Sequence, residues 1–208
     1  MDDPEKPQPL EALTAPRLIG SEPLHDGERT LPLTVLDFWQ WSASDLVSNL
    51  TRGRLAEFIV AHALGIDVRN SVRNEWDAFD LMTPDGVRVE VKASGYVQSW
   101  RQKQLSKVGW RIGPTRQWEA NTGLMASDAG WHADVYVLAL FHPKEKSSSL
   151  NPLDVSQWTF FVLPAGGVRE RTWSSLLSLT AVASLGGKTA GFEGLAGAVR
   201  NAAKRSNE

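Results

Sequence analysis

Between Trp76 and Ser94 the chain reads WDAFDLMTPDGVRVEVKAS, and this stretch constrains the fold more than any other. Val87, Val89 and Val91 alternate with Arg88, Glu90 and Lys92, the two-residue period of a strand with one face in the core. Upstream, Phe79 and Leu81 alternate with Asp80 and Met82. Thr83-Pro84-Asp85-Gly86 separates the two runs: Pro presets the first turn position, Asp favours the second, and Gly takes the left-handed one. A three-residue loop with a glycine bulge sets Thr83 opposite Val87. Counting outward puts Asp80 opposite Glu90, with Lys92 two residues along on the same face.

Two carboxylates facing each other across adjacent strands, roughly 5 Å apart at Cβ, repel one another unless something positive stands between them. A divalent cation is the usual resolution, and magnesium takes one or two carboxylates while keeping waters and phosphate oxygens for its other positions. Lys92 would aim at the same spot. A metal and a lysine beside a phosphate form a layout for hydrolysing a phosphodiester.

The pattern of Asp80, nine intervening residues and Glu90-Val91-Lys92 resembles the signature of the PD-(D/E)xK nuclease superfamily. The resemblance covers about Thr51 to Ser94. It implies an α/β, restriction-endonuclease-like mixed β-sheet flanked by helices, and a DNA endonuclease dependent on Mg2+, with Mn2+ as substitute. Families of this kind often carry a further glutamate on the helix before the hairpin, and Glu57 is the matching residue. On this resemblance Asp80 and Glu90 ligate the metal, Glu57 adds a ligand or holds a metal water, and the Val91 carbonyl is a further ligand. Lys92 then positions or deprotonates the attacking water. A glutamine on the following segment can assist, which singles out Gln102 and Gln104.

A second feature supports a nucleic-acid partner. Tyr96 to Trp118 carries Arg101, Lys103, Lys107, Arg111 and Arg116 and no acid, in a chain whose net charge is −2. These cations, interleaved with Trp100, Trp110, Trp118, Gln102 and Gln104, suit a phosphate backbone and its bases. Global charge gives no such pull, so the footprint has to be local. The plainer reading is a solvated polar face.

The chain of 208 residues contains no cysteine, which excludes disulfide and thiolate chemistry and fits a reducing cytoplasm. No run of 18 apolar residues and no secretory start is present. One domain is expected over residues 31–208, preceded by a proline-rich, loosely packed arm over 1–30 and ending in a helical extension over 164–208.

In order, LPLTVLDFWQW (31–41) predicts a short helix, and a second helix follows from about Ser44 to Leu50. Thr51 to Leu64 is the clearest helix, stopped at Gly65. It places Leu55, Phe58, Ile59 and His62 on one face and Glu57, Val60, Ala61 and Leu64 on a neighbouring one, so Glu57 borders apolar surface. Ser99 to Leu105 is expected as helix, Gly109 to Ile112 as strand and residues 121–130 as loop. The dense apolar run ADVYVLALF (133–141) predicts a central strand covered on both faces, and QWTFFVL (157–163) another. Trp173 to Leu179 is expected as a short helix, residues 184–191 as a glycine-rich turn and Phe192 to Ala203 as an amphipathic helix.

Alternatives remain open at this level. A one-residue slip would exchange Asp80 for Asp77, and the hairpin face could be a polar stripe of weak ion pairs. Besides an endonuclease acting on duplex DNA, for which a homodimer is the suitable assembly, the same fold could serve as a nucleic-acid-binding protein without activity. The tryptophans could also mark a structural or interaction protein.

Overall fold

The computed structural model describes Leu10 and residues 13–119, 122–169 and 176–206. A hairpin comes first, β1 (Pro23–Asp26) and β2 (Arg29–Thr34), followed by α1 (Val35–Ala43) and α2 (Asn49–Ala63). The central hairpin contributes β3 (Leu81–Met82) and β4 (Arg88–Gly95). Then come a two-residue pair, β5 (Trp118–Glu119) and β6 (Leu124–Met125), and the long strands β7 (Val135–Phe141) and β8 (Trp158–Pro164). The chain closes with α3 (Ala165–Arg169), α4 (Leu179–Ser184), β9 (Lys188–Ala190) and α5 (Leu195–Ser206).

Among the described residues, five strands make one mixed sheet in the order β3-β4-β7-β8-β9, with β4 and β7 parallel and the other pairs antiparallel. All seven residues of β7 are buried, as a run without polar alternation requires. On one face Val89, Val91, Val135 and Val137 pack under Ala56, Ile59 and Val60 of α2 and Leu195 and Val199 of α5. On the other, Tyr136, Leu138 and Leu140 meet Trp110, Ile112, Leu177 and Val182. Helices cover the first face, while mainly irregular chain covers the second.

The hairpin register is the one the turn arithmetic gives. Leu81 pairs with Val89 and Met82 with Arg88, the Thr83 N–H donates to Val87 O at 3.0 Å, and Gly86 has a φ of 83°. The strand before the turn is shorter than the alternation implies, because Asp80 leaves the ladder and uses its side chain on the β4 backbone. Gly65, at φ 76°, ends the turn after α2 as expected. The buried stripe of that helix is Ala56, Ile59, Val60 and Ala61, with Phe58 and His62 turned outward, so the face assignment is corrected there.

Other expectations are also corrected. The proposed arm over 1–30 overlaps β1 and β2, and the helix expected from Leu31 begins at Val35. Pro32 disfavours helical backbone at Leu31, whereas Thr34 and Asp37 form a reciprocal capping box that starts α1. The expected helix over Ser99–Leu105 is absent. There, Gln102 Oε1 accepts the Gln98 N–H at 2.7 Å, and Gln102 Nε2 donates to Tyr96 O and Ser106 Oγ, both at 3.1 Å, folding the segment as a loop. Trp110 makes a single bridge to Leu177 instead of a strand. The turn expected over 184–191 contains β9, which adds an edge to the sheet. Of the helix expected at Trp173–Leu179, residues 173–175 lie outside the described residues, 176–178 are not helical, with Leu177 bridged to Trp110, and α4 begins only at Leu179.

Arg52 ties α2 to the end of β4. Its Nη1 donates to Val47 O (3.1 Å), Val97 O (3.2 Å) and Gln98 Oε1 (3.4 Å), and its Nη2 to Asn49 Oδ1 (2.5 Å). A Cβ on Gly95 would stand 3.2 Å from that Nη1 and 3.3 Å from Phe141 O, so a glycine lets the strand pass. This clamp fixes α2, and with it Glu57, against β4. Among the described residues no helix is long and apolar enough to cross a membrane.

Candidate active site

Because β3 begins only at Leu81, opposite Val89, the outer edge of β4 is uncovered beyond Val89, and four charged side chains gather around it. Glu90 and Lys92 lie on the loop-covered face, in register with Tyr136 and Leu138 of β7. Asp80 approaches along the edge, its Oδ2 accepting the Val91 N–H at 2.8 Å. Glu57 reaches the same region from α2 on the helical side. The side chains of Glu57, Asp80 and Glu90 are 14%, 16% and 18% exposed. Such packing requires compensating positive charge.

Two cations supply it. Lys92 Nζ donates to Glu90 Oε1. Arg73, from the turns and bends between α2 and β3, places its Nε 2.5 Å from Glu57 Oε2 and its Nη2 3.8 Å from Asp80 Oδ1. Burial pushes the Glu57 carboxyl above its ordinary value, and the Asp80 charge adds to this despite the Arg73 hydrogen bond. Burial and then the Asp80 charge raise Glu90 as well, against the pull of Lys92. For Lys92, burial acts to lower the pKa, but the charges of Glu90, Asp80 and Glu57 outweigh it and the ammonium is held above its usual range. Lys92 is therefore a charged donor. Burial first, then the Glu90 charge, raises the Tyr136 phenol and keeps it neutral.

Glu90 and Lys92 open into a cleft of about 620 Å³ walled by Trp110, Arg111, Pro114 and His132. Glu57, Arg73 and Asp80 border a second hollow, of about 440 Å³, on the other side of the strand edge. The charged cluster thus stands on a ridge reachable from both sides. Among the described residues no three His, Asp or Glu side chains are arranged to hold a metal ion. Arg73 and Lys92 engage the oxygens that a third ligand would need. Asp80 and Glu90 alone are a hard-oxygen pair of the kind magnesium accepts, so the donor chemistry fits a cation held by two carboxylates.

The remaining predicted residues fall into two groups. Arg111 lines the cleft beside Glu90 and Lys92. Arg101, Lys103, Gln104 and Lys107 are exposed on the loop beyond the end of β4, and Arg116 is exposed before β5. Gln102 points into its own loop, where it bonds the backbone; Gln104 shares that loop, away from the cleft. Asp77 is exposed ahead of β3. Asp134 is committed to Arg88, whose Nη2 stands 2.6 Å away, and His132 Nε2 shares a hydrogen bond with Thr115 O at 2.8 Å.

Sequence reasoning passed over Arg73, whose segment has no period from which a direction could be read. It also left Lys144 and Lys146 in a polar linker. Lys146 Nζ donates to Trp100 O, and Lys144 Nζ stands 5.1 Å from the centre of the Tyr96 ring. The two loops together therefore present Arg101, Lys103, Lys107, Lys144 and Lys146 on one exposed surface.

A protein-family model described as bacteriophage T4 endonuclease IV matches residues 35–179, from the start of α1 to the start of α4, and includes the whole charged cluster. No curated protein and no solved structure matches the chain. Spanning well over half of the 208 residues, the family match shows that this chain belongs to the bacteriophage T4 endonuclease IV family.

Proposed function

We propose that the chain is a divalent-metal-dependent DNA endonuclease of the PD-(D/E)xK kind, hydrolysing phosphodiester bonds at the open edge of β4. Membership in an endonuclease family supports a nuclease acting on DNA. The observation that carries the finer reading is the Lys92–Glu90 pair, held beside Asp80 and Glu57 at the mouth of a cleft.

In this reading Asp80 and Glu90 hold Mg2+ or Mn2+, and Glu57 adds a ligand or holds a metal water once Arg73 releases it. The Val91 N–H points out of the sheet edge at Asp80, and in an extended strand the carbonyl of the same residue points the same way. That makes the carbonyl available as a further ligand. A bound cation would supply Lewis acidity at the phosphoryl oxygen. Lys92, a charged donor in the metal-free site, positions or deprotonates the attacking water and offsets charge that builds on the phosphate. Arg111, in the cleft wall, is placed to hold a neighbouring phosphate.

The deciding experiment incubates purified protein with supercoiled plasmid and with single-stranded DNA in Mg2+, Mn2+ or EDTA, with Lys92→Ala alongside. Metal-dependent cutting that disappears in the variant is expected. Cutting that survives in EDTA or in Lys92→Ala overturns the assignment. DNA binding without cutting under any condition favours a binding protein on the same fold.

A further inference from the structure

We propose that Arg73 is the resident counter-ion of this site and that a divalent cation must displace it from Glu57 and Asp80 in order to bind. The inference rests on the metal-dependent reading above. Among the described residues Lys92 hydrogen-bonds only Glu90, which leaves the other two carboxylates to Arg73. The guanidinium spans them, with Nε 2.5 Å from Glu57 Oε2 and Nη2 3.8 Å from Asp80 Oδ1, while Nη1 lies 3.5 Å from Glu75 Oε1. The oxygens that a cation between Asp80 and Glu57 needs are those that Arg73 faces. A planar fork and a small dication cannot both stand there.

The arginine is also placed to leave. Its side chain is 37% exposed, and from Gly65 to Asp80 the chain makes only turns and bends. Arg54 meets Glu75 of this segment at 2.7 Å, more than half exposed on both sides, a pair too weak to anchor it to α2. Exposed pairs of this sort exchange readily with solvent. The guanidinium can therefore swing out without opening either side of the core, and it keeps the carboxylates compensated until the cation arrives.

The test titrates Mn2+ into the full chain without DNA by calorimetry, for wild type, Arg73→Ala, Arg73→Lys and Arg54→Ala. Removing the internal competitor should tighten Mn2+ binding roughly three- to tenfold in Arg73→Ala. Arg73→Lys, which keeps the charge but cannot bridge two carboxylates, should fall between that and wild type. Arg54→Ala removes the same charge from the same neighbourhood, yet among the described residues no ion pair joins Arg54 to Glu57 or Asp80. Its affinity should stay within about twofold of wild type, the size of an exposed pair's long-range effect. Thermal melts in EDTA and in Mn2+ check folding, and the Mn2+-induced rise should be larger in Arg73→Ala than in wild type. If wild type binds Mn2+ and Arg73→Ala binds no tighter, the exchange is overturned and the metal-dependent reading stands. Equal tightening in Arg54→Ala reduces the effect to general electrostatics and overturns it too. No Mn2+ binding in either wild type or Arg73→Ala sinks both ideas together.

Discussion

Asp80 Oδ2 accepts the backbone N–H of Val91 at 2.8 Å, so the residue that stops β3 also completes the edge of β4 with its own side chain. One oxygen is structural and the other, Oδ1, faces the cluster. Asp80→Asn keeps an acceptor for Val91 and removes the charge, whereas Asp80→Ala removes both. We expect metal-dependent cutting to be lost in both variants, with stability near wild type in Asp80→Asn and about 1 kcal/mol lower in Asp80→Ala. Chemical denaturation beside the cleavage assay separates the two. Full activity in Asp80→Asn would remove Asp80 from the site.

The raised carboxyls set a pH dependence with a definite sign. Glu57 and Glu90 both hold their protons more tightly in the native chain than in the unfolded one, chiefly through burial. Between the unfolded value of about 4.3 and their raised native values, the native state binds more protons, and stability falls as pH rises. Asp134 behaves oppositely: its hydrogen bond from Arg88 lowers its pKa, and its contribution is lost only as pH falls below the unfolded value of about 3.9. The windows are separate. In EDTA the melting temperature should therefore decline from weakly acid pH upward, and the stabilisation added by Mn2+ should grow over the same range as protons leave the carboxylates. A melting temperature that climbs through that window would contradict the burial of these acids.

The two-loop basic surface predicts a salt effect that the catalytic cluster does not. Each phosphate contact steepens the fall of log K with log salt by roughly 0.7 to 0.9. Lys144→Gln with Lys146→Gln should flatten the slope of DNA binding by about two such contacts in the Lys92→Ala background. An unchanged slope would mean that Lys144 and Lys146 serve only Tyr96 and Trp100.

How far the sequence could be read followed from where local chemistry decided the conformation. Pro84, Asp85 and Gly86 fixed the turn and thereby the pairing of Leu81 with Val89 and Met82 with Arg88; the glycine after α2 marked the end of its turn; and the seven apolar residues of β7 announced a covered strand. Where side-chain contacts without a periodic pattern decided, the reading failed. Ser99–Leu105 has helical composition, yet Gln102 bonds the Gln98 N–H and Tyr96 O before it and the Ser106 hydroxyl after it. Arg73 reaches Glu57, 16 residues back on α2, and Asp80, 7 ahead at the far end of its own irregular segment. The proline content of the first 30 residues suggested an arm, whereas the β1–β2 hairpin is an antiparallel pair that composition cannot reveal.

The geometry of the site depends in turn on a buried residue that takes no part in its chemistry. Arg52 is 3% exposed, and burial lowers its pKa despite the charge of Asp45. Its Nη1 and Nη2 serve three backbone or amide groups at Val47, Val97 and Gln98 together with Asn49. Arg52→Ala would strand those acceptors and leave a cavity, at a cost of about 3 kcal/mol or more. Gly95→Ala presses a methyl against the same Nη1 and against Phe141 O, which overpacking data put at about 1 to 3 kcal/mol. If Arg52 is the obstacle, the double variant should cost less than the sum, since removing the guanidinium frees part of the space. Denaturant melts of the four proteins measure that coupling. Strict additivity would instead place the whole Gly95 constraint on the Phe141 carbonyl, and α2 would then be clamped to β4 independently of how that strand passes β7.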